Sequence, residues 1–429
     1  MDYKIINIDE KTDENIILKV KDIKCKKLEP ILELYKGKLF SYLIKLFISD
    51  CINEFGKHIF TIKKSYNRTL TNLFSSWIFS LYINYDFSGD FFLPSNYENT
   101  DSLEYTLNDL CKYDKNIKNP KERINKVITK LKTNYKQQLN MLGNYENSSL
   151  FLNNCNKYKI KKTKILNKNI TFLKLQITVD FIIKDKRLQN ILNNILIPCK
   201  IYDKLFDIYT GPENNIDEYI WAMVYRYQLL SSNNHQLAVL PTIMASMKKD
   251  YSLNFECFAS GINNTFNHYC SLYYDIERYF GSVGSFFNIE PIKGTFGFNP
   301  PYQKDIIILG IERVLKFLEK SKENLTFIIT IPIWDNVGRH IMKELYNNEL
   351  EKQNIDYGDF EIIYKIKDSQ YYRTMRMIQK EKFTYIDHNF DLYKNKTIQN
   401  TYVFILSNQD IKEKPLEEYD FETFIKNTE

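Results

Sequence analysis

A chain of 429 residues, 44% hydrophobic and 26% charged, is long enough for two or three domains and globular rather than disordered in composition. It has no run of about 18 uncharged apolar residues, which argues against a membrane span. The formal charge of +6 is unevenly placed: Lys112 to Lys168 holds 15 Lys and Arg against three acids, so this stretch reads as a surface that guides a polyanion.

The N-terminus MDYKIINIDEKTDE carries acids and no apolar core, so no secretory leader is expected. Seven scattered cysteines without a CxxC pair read as reduced thiols of an intracellular protein, cytoplasmic or nuclear. The five histidines lack any HExxH-like spacing, so no metal is expected.

Apolar residues recur at helical spacing in LEPILELYKGKLFSYLIKLFISDCINEF and LTNLFSSWIFSLYI, so the chain from about Leu28 to Tyr82 reads as helix. FSGDFFLPSNYENTDS reads as a loop, and NPKERINKVITKLKTNYKQQLNML as a helix begun near Pro120. The polar stretch Asn144 to Asn156 reads as a linker. TFLKLQITVDFII then alternates as a strand does, and IDEYIWAMVYRYQLL is a helix. Beyond Leu240 the spacing predicts strands at SLNFECFA, GTFGF, LTFIITIP, FEIIYKI and TYVFILS, with helices at INNTFNHYCSLY and DIIILGIERVLKFLEK. Such alternation implies an α/β domain with a mostly parallel sheet covered on both faces, ending in an antiparallel pair. The expected division is a helical accessory domain over 1–150 that contacts RNA or a cap, a catalytic domain over 151–410, and an acidic tail over 411–429.

The chemistry points to Asn299-Pro300-Pro301-Tyr302, which follows the GTFGF strand where open α/β sheets bind ligands. Adenine N6 is a poor nucleophile because its lone pair is delocalised into the ring. The Asn299 side-chain oxygen and the Pro300 carbonyl can accept its amino hydrogens, the two prolines hold those acceptors in place, and Tyr302 offers a face for stacking. This set suits methyl transfer to an amino nitrogen. The earlier strand NFECFASG ends in Ala259, Ser260 and Gly261, small enough to let a sulfonium cofactor approach the backbone; Glu256 either meets its polar end or aligns the turn. Cys257 and Cys270 read as core thiols. Phe280 and Gly281, in RYFGSVGS, and Gln236, before a helix, are further candidates to line the cofactor.

IWAMVYRY, NFECFASGIN, FNHYCS, RYFGSVGS, GFNPPY and IPIW follow one another in order. Together they resemble the catalytic core of the phosphorylated-CTD-interacting factor family, the cap-specific adenosine N6-methyltransferases, most strongly from Ile220 to Trp334. The resemblance implies a Rossmann-like fold and S-adenosylmethionine as methyl donor. It also implies, as substrate, a capped RNA whose first nucleotide is 2′-O-methyladenosine. It places the target adenine on Asn299, Pro300, Pro301 and Tyr302, and the cofactor on Glu256, Cys257, Phe258, Ala259, Ser260, Phe280 and Gly281. Arg226 would contact a phosphate. No pair of tryptophans sits in a short Pro- and Gly-bearing β segment, so binding to the polymerase tail is not expected. Alternatives are N6 methylation of other RNA or of DNA, and a weakly catalytic cap- or RNA-binding protein.

Overall fold

The computed structural model describes residues 3–8, 15–60, 66–84, 90–112, 117–167, 170–180, 184–230, 236–301, 303–332, 361–379, 382–388, 394–396, 400–411 and 416. The chain divides into two compact units, one of Met1–Asp22, Asn234–Ser271 and Gly281–Glu429, the other of Ile23–Asn233 and Leu272–Phe280. The chain passes between them at 22/23, 233/234, 271/272 and 280/281.

An antiparallel hairpin opens the chain, β1 (Tyr3–Ile8) and β2 (Ile16–Lys21). The second unit follows: α1 (Pro30–Phe55), α2 (Tyr66–Leu81), α3 (Asp101–Lys112), α4 (Pro120–Glu146) and α5 (Ser149–Asn154). The expected linker at 144–156 is therefore mostly helical. Its polar residues are a helix break and restart, with the Ser148 hydroxyl accepting from Phe151 N–H at 3.2 Å. The unit continues with β3 (Tyr158–Asn167), β4 (Ile170–Val179), α6 (Lys186–Asn193), β5 (Leu196–Pro198), α7 (Cys199–Ile208) and α8 (Ile216–Leu230). β3, β4 and β5 form an antiparallel sheet in that order. Its aromatic core includes Phe40, Phe74, Trp77 and Tyr135.

The first unit resumes with β6 (Leu237–Val239), α9 (Pro241–Tyr251) and β7 (Leu253–Glu256). A short helix of the second unit, α10 (Tyr274–Glu277), intervenes. Then come β8 (Ile289–Phe298), α11 (Lys304–Lys320), β9 (Leu325–Pro332), α12 (Glu361–Lys367), β10 (Tyr372–Ile378), β11 (Tyr385–Asp387), β12 (Lys394–Lys396) and β13 (Thr401–Ser407).

The main sheet runs β1-β2-β8-β9-β13-β10, with β7 also pairing β8. Among the described residues of this sheet only β7–β8 and β8–β9 are parallel; β1–β2, β2–β8, β9–β13 and β13–β10 are antiparallel. The expected mostly parallel sheet is thus corrected to a mixed one. Crossover connections, through 257–288 and through α11, bring in the parallel strands, while the N-terminal hairpin and the C-terminal strands add antiparallel flanks. The centre of the sheet is buried on both faces. Phe327, Ile329, Ile331, Tyr402, Phe404 and Leu406 pack with Ile307, Ile311 and Val314 of α11, while Ile328, Val403 and Ile405 pack with Ile243, Met244 and Met247 of α9. That two-sided burial explains the unbroken apolar runs.

Two other expectations fail for local reasons. FEIIYKI is helical over Glu361–Lys367, since Ile362 and Ile366 fit a helix turn as well as a strand. INNTFNHYCSLY forms turns instead of a helix. Side chains there compete for the backbone: Asn263 Oδ1 accepts from Ser260 N–H at 2.7 Å, and Asn264 Nδ2 donates to the Phe266 carbonyl at 2.8 Å.

Candidate active site

The first unit gathers its polar side chains where β7 and β8 end. Past Glu256 the parallel pairing continues as Cys257 N–H donates to the Gly297 carbonyl at 2.8 Å. Cys270 N–H donates to the Glu256 carbonyl at 2.8 Å, and Ala259 N–H to the Cys270 carbonyl at 2.9 Å. Tyr269 makes parallel bridges to both Glu256 and Ser282. The FNHYCS and GSVGS segments therefore extend the sheet beside β7. Gly281 is required there: its φ is +96°, and a Cβ would run into the Asn267 carbonyl.

The Glu256 carboxylate is buried, and Oε2 accepts from the Thr265 and Phe266 N–H groups at 2.7 and 3.0 Å. It aligns the turn, one of its two expected roles. It also lines a narrow pocket together with Phe258, Asn263, Phe298, Asn299 and Thr330. Leu237, Met244 and Met247 supply apolar wall. Asn299 directly follows β8, so the first residue of the proline loop shares this pocket with Glu256 at the C-terminal end of β7. Pro300 is buried and Pro301 half-buried, while Tyr302 lies outside the described residues.

The Ser260 hydroxyl lies 3.0 Å from both Gln236 Oε1 and Asn263 Oδ1. Two residues expected near the cofactor, Gln236 and Ser260, are thereby joined directly, and Asn263, which the sequence reading did not single out, approaches the same hydroxyl. Its signal was a turn-forming Asn four residues after Ala259. Thr330, from β9, carried no signal, since only the parallel pairing of β8 and β9 brings it to the pocket. Phe258 forms wall, its ring 5.0 Å from Phe286 and 5.2 Å from Phe298. Ala259 is half-buried on the same turn. The Cys257 and Cys270 thiols lie in the core, where burial pushes both pKa values well above the ordinary thiol range. Cys257 can thus offer a ligand only its backbone.

Phe280 and Arg226 belong to the second unit. Phe280 is buried with its ring 5.2 Å from Tyr209. Arg226 is 1% exposed, with Nε 2.7 Å from Glu33 Oε2 and Nη2 2.8 Å from Asp275 Oδ2. A guanidinium held this way presents no face to a phosphate. The expected phosphate contact is corrected to a buried ion pair.

The family model described as "Phosphorylated CTD interacting factor 1 WW domain" matches residues 200–357. The mRNA (2'-O-methyladenosine-N(6)-)-methyltransferases of Mus musculus and Homo sapiens are each 27% identical to this chain over 195 residues. Over this span the chain is similar to the phosphorylated-CTD-interacting factor family. Each alignment takes in 44% of this chain and 25% of the relative, so the chain spans about a quarter of these relatives' length. The family match runs from α7 through β9 and includes the whole pocket-forming stretch from Leu237 to Thr330. Its description names a WW domain, but Trp221 of this span is fully buried within α8. Among the described residues no group of three or more His, Cys, Asp or Glu could hold a metal, and no helix is long and apolar enough to cross a membrane.

Proposed function

We propose that this chain transfers a methyl group from S-adenosylmethionine to N6 of adenine in RNA, at the 2′-O-methyladenosine beside an mRNA cap, on a Rossmann-like core. The observation that carries this reading is the meeting of Asn299 and Glu256 in one pocket at the ends of adjacent parallel strands. Open α/β sheets place ligands at such strand ends, and the names of the two relatives support the substrate.

The donor set fits the cofactor. Apolar Leu237, Met244 and Phe258 face polar Glu256, Asn263, Asn299 and Thr330 across a narrow cleft, which suits a ligand joining a purine to a charged amino-acid end. Bound there, S-adenosylmethionine supplies an electrophilic methyl group. The chain's own part is preorganisation. Asn299 Oδ1 and the Pro300 carbonyl accept the two amino hydrogens of adenine, turning the nitrogen lone pair away from the ring. Pro301 and the Gln303 N–H to Pro301 carbonyl bond, 2.7 Å, fix the loop before α11 begins. Glu256 and Asn263 hold the facing turn rigid. No strong base is needed, because the methylated amine is acidic enough to lose its proton to water.

The test is methyl transfer to two RNAs of one sequence beginning with adenosine, one capped and 2′-O-methylated, the other with a 5′-hydroxyl. Strong preference for the first supports the reading. Equal rates would remove the cap from it, and transfer to neither would remove the activity.

A further inference from the structure

Most cations of the basic stretch 112–168 fall on two elements, α4 and β3, and the structure distinguishes them. On α4 three of the five lysines lie beside a carboxylate: Lys126 is 2.9 Å from Glu122, Lys130 3.3 Å from Asp50, and Lys132 3.6 Å from Glu98. On the β3–β4 hairpin, Lys159, Lys161 and Lys174 have no carboxylate within 4.0 Å among the described residues.

The register shows where these three point. Lys159 pairs Thr178, Lys161 pairs Gln176, and Thr163 pairs Lys174, so all six side chains share one face. Lys159, Lys161, Thr163, Gln176 and Thr178 are exposed and Lys174 is half-buried. The face holds three cations, three neutral hydrogen-bonding side chains and no acid. The opposite face is pinned inward, with Tyr158 Oη donating to Glu218 at 2.6 Å and Lys162 Nζ 3.0 Å from Asp217.

Edge strands often carry lysine to block pairing with other chains. That accounts for Lys159 and Lys161 on the edge strand β3, but not for Lys174, which lies on the central strand β4. Same-face residues two apart on a strand are separated by about 6.8 Å, which lets successive lysines reach successive phosphates of an extended single strand. Phe172, the aromatic side chain of this face, is 2% exposed and cannot stack a base. We infer that the Lys159–Lys161–Lys174 face binds the phosphodiester backbone of single-stranded RNA without regard to sequence. This rests on the RNA part of the proposed function, and assigns the body of the transcript a contact surface outside the strand-end pocket.

The experiment measures affinity of the full chain for a capped single-stranded RNA of about 20 nucleotides as a function of salt. Three phosphate contacts contribute about 2 to the slope of log affinity on log salt, so from 50 to 200 mM salt the wild type should lose about twentyfold more affinity than K159Q/K161Q/K174Q. The control K126Q/K132Q, on α4, should keep the wild-type slope, and unchanged unfolding midpoints show that the variants fold. An unchanged slope in the triple variant overturns the inference. So does a slope change as large in the α4 control, or binding of this face to phosphatidylserine vesicles in place of RNA. Wild-type protein that binds RNA with this slope and transfers no methyl group would uphold the surface and sink the methyltransferase reading.

Discussion

Glu256 and Arg226 are both charged, both buried, and both expected from sequence to touch ligand, yet they sit in opposite kinds of place. Glu256 closes a strand at the end of a sheet, satisfies two backbone N–H groups and still borders a pocket. Arg226 lies inside a helix whose residues from Tyr219 to Leu230 are all buried. It is locked among Glu33, Asp275, Lys36 and Asp90, with Lys36 Nζ 2.7 Å from Glu33 and 2.6 Å from Asp90. Removing such charges from water is costly unless every one is paired. The difference teaches that a charge at a strand end can serve a ligand, whereas a charge on a helix apolar all round is held by its own protein.

Arg226→Ala should break that contrast most severely. It leaves Glu33 and Asp275 buried without their cation, which should cost about 3–5 kcal/mol. Urea unfolding followed by the fluorescence of Trp77 and Trp221, both in the second unit, would read the loss. A loss below about 1 kcal/mol would mean that the carboxylates are solvated and the guanidinium is available to a phosphate.

On the pocket side, Gly281→Ala should destabilise by about 1–3 kcal/mol, because alanine resists a φ of +96° and its Cβ meets the Asn267 carbonyl. A neutral result in denaturant would show that the turn beside β7 yields. Glu256→Gln keeps the shape but weakens two charge-assisted bonds, which should cost about 1–2 kcal/mol. Faster hydrogen exchange at the Thr265 and Phe266 amides would report it, and unchanged exchange would remove Glu256 from the turn.

The smallest effect sharpens the helix side. Burial alone would raise the Glu33 and Asp90 carboxyls, but Arg226 and Lys36 hold both below the usual carboxylate range. Their contribution to stability is therefore present above about pH 4 and lost as pH falls through their folded values. Asp275 acts the opposite way, since burial pushes its carboxyl above the usual value despite Arg226. Stability should fall only shallowly from pH 5 to 3 in the wild type, and less in Asp90→Asn. Equal slopes in the two proteins would remove Asp90 from the linkage.

The long helices and the central strands were legible because their apolar spacing has a single reading over many residues. β9 and β13 betrayed burial on both faces by their unbroken runs, and NFECFASG and GFNPPY each contribute residues to the pocket, whereas RYFGSVGS contributes none. What stayed hidden depends on pairing across the chain. The β1–β2 hairpin is too short and polar to announce a sheet edge, and Asn263 meets Ser260 only because side chains there outcompete a helix. Arg226 was misplaced although its own helix carried the warning: IWAMVYRYQLL leaves no polar face for an arginine to use.

In the proposed function the proline loop at the end of β8 performs the chemistry. Its most direct test is single-turnover methyl transfer to capped RNA by Asn299→Ala, beside a titration of S-adenosylmethionine affinity. Turnover should fall by at least about a hundredfold, with cofactor affinity within a fewfold of wild type. Near-wild-type turnover would contradict it.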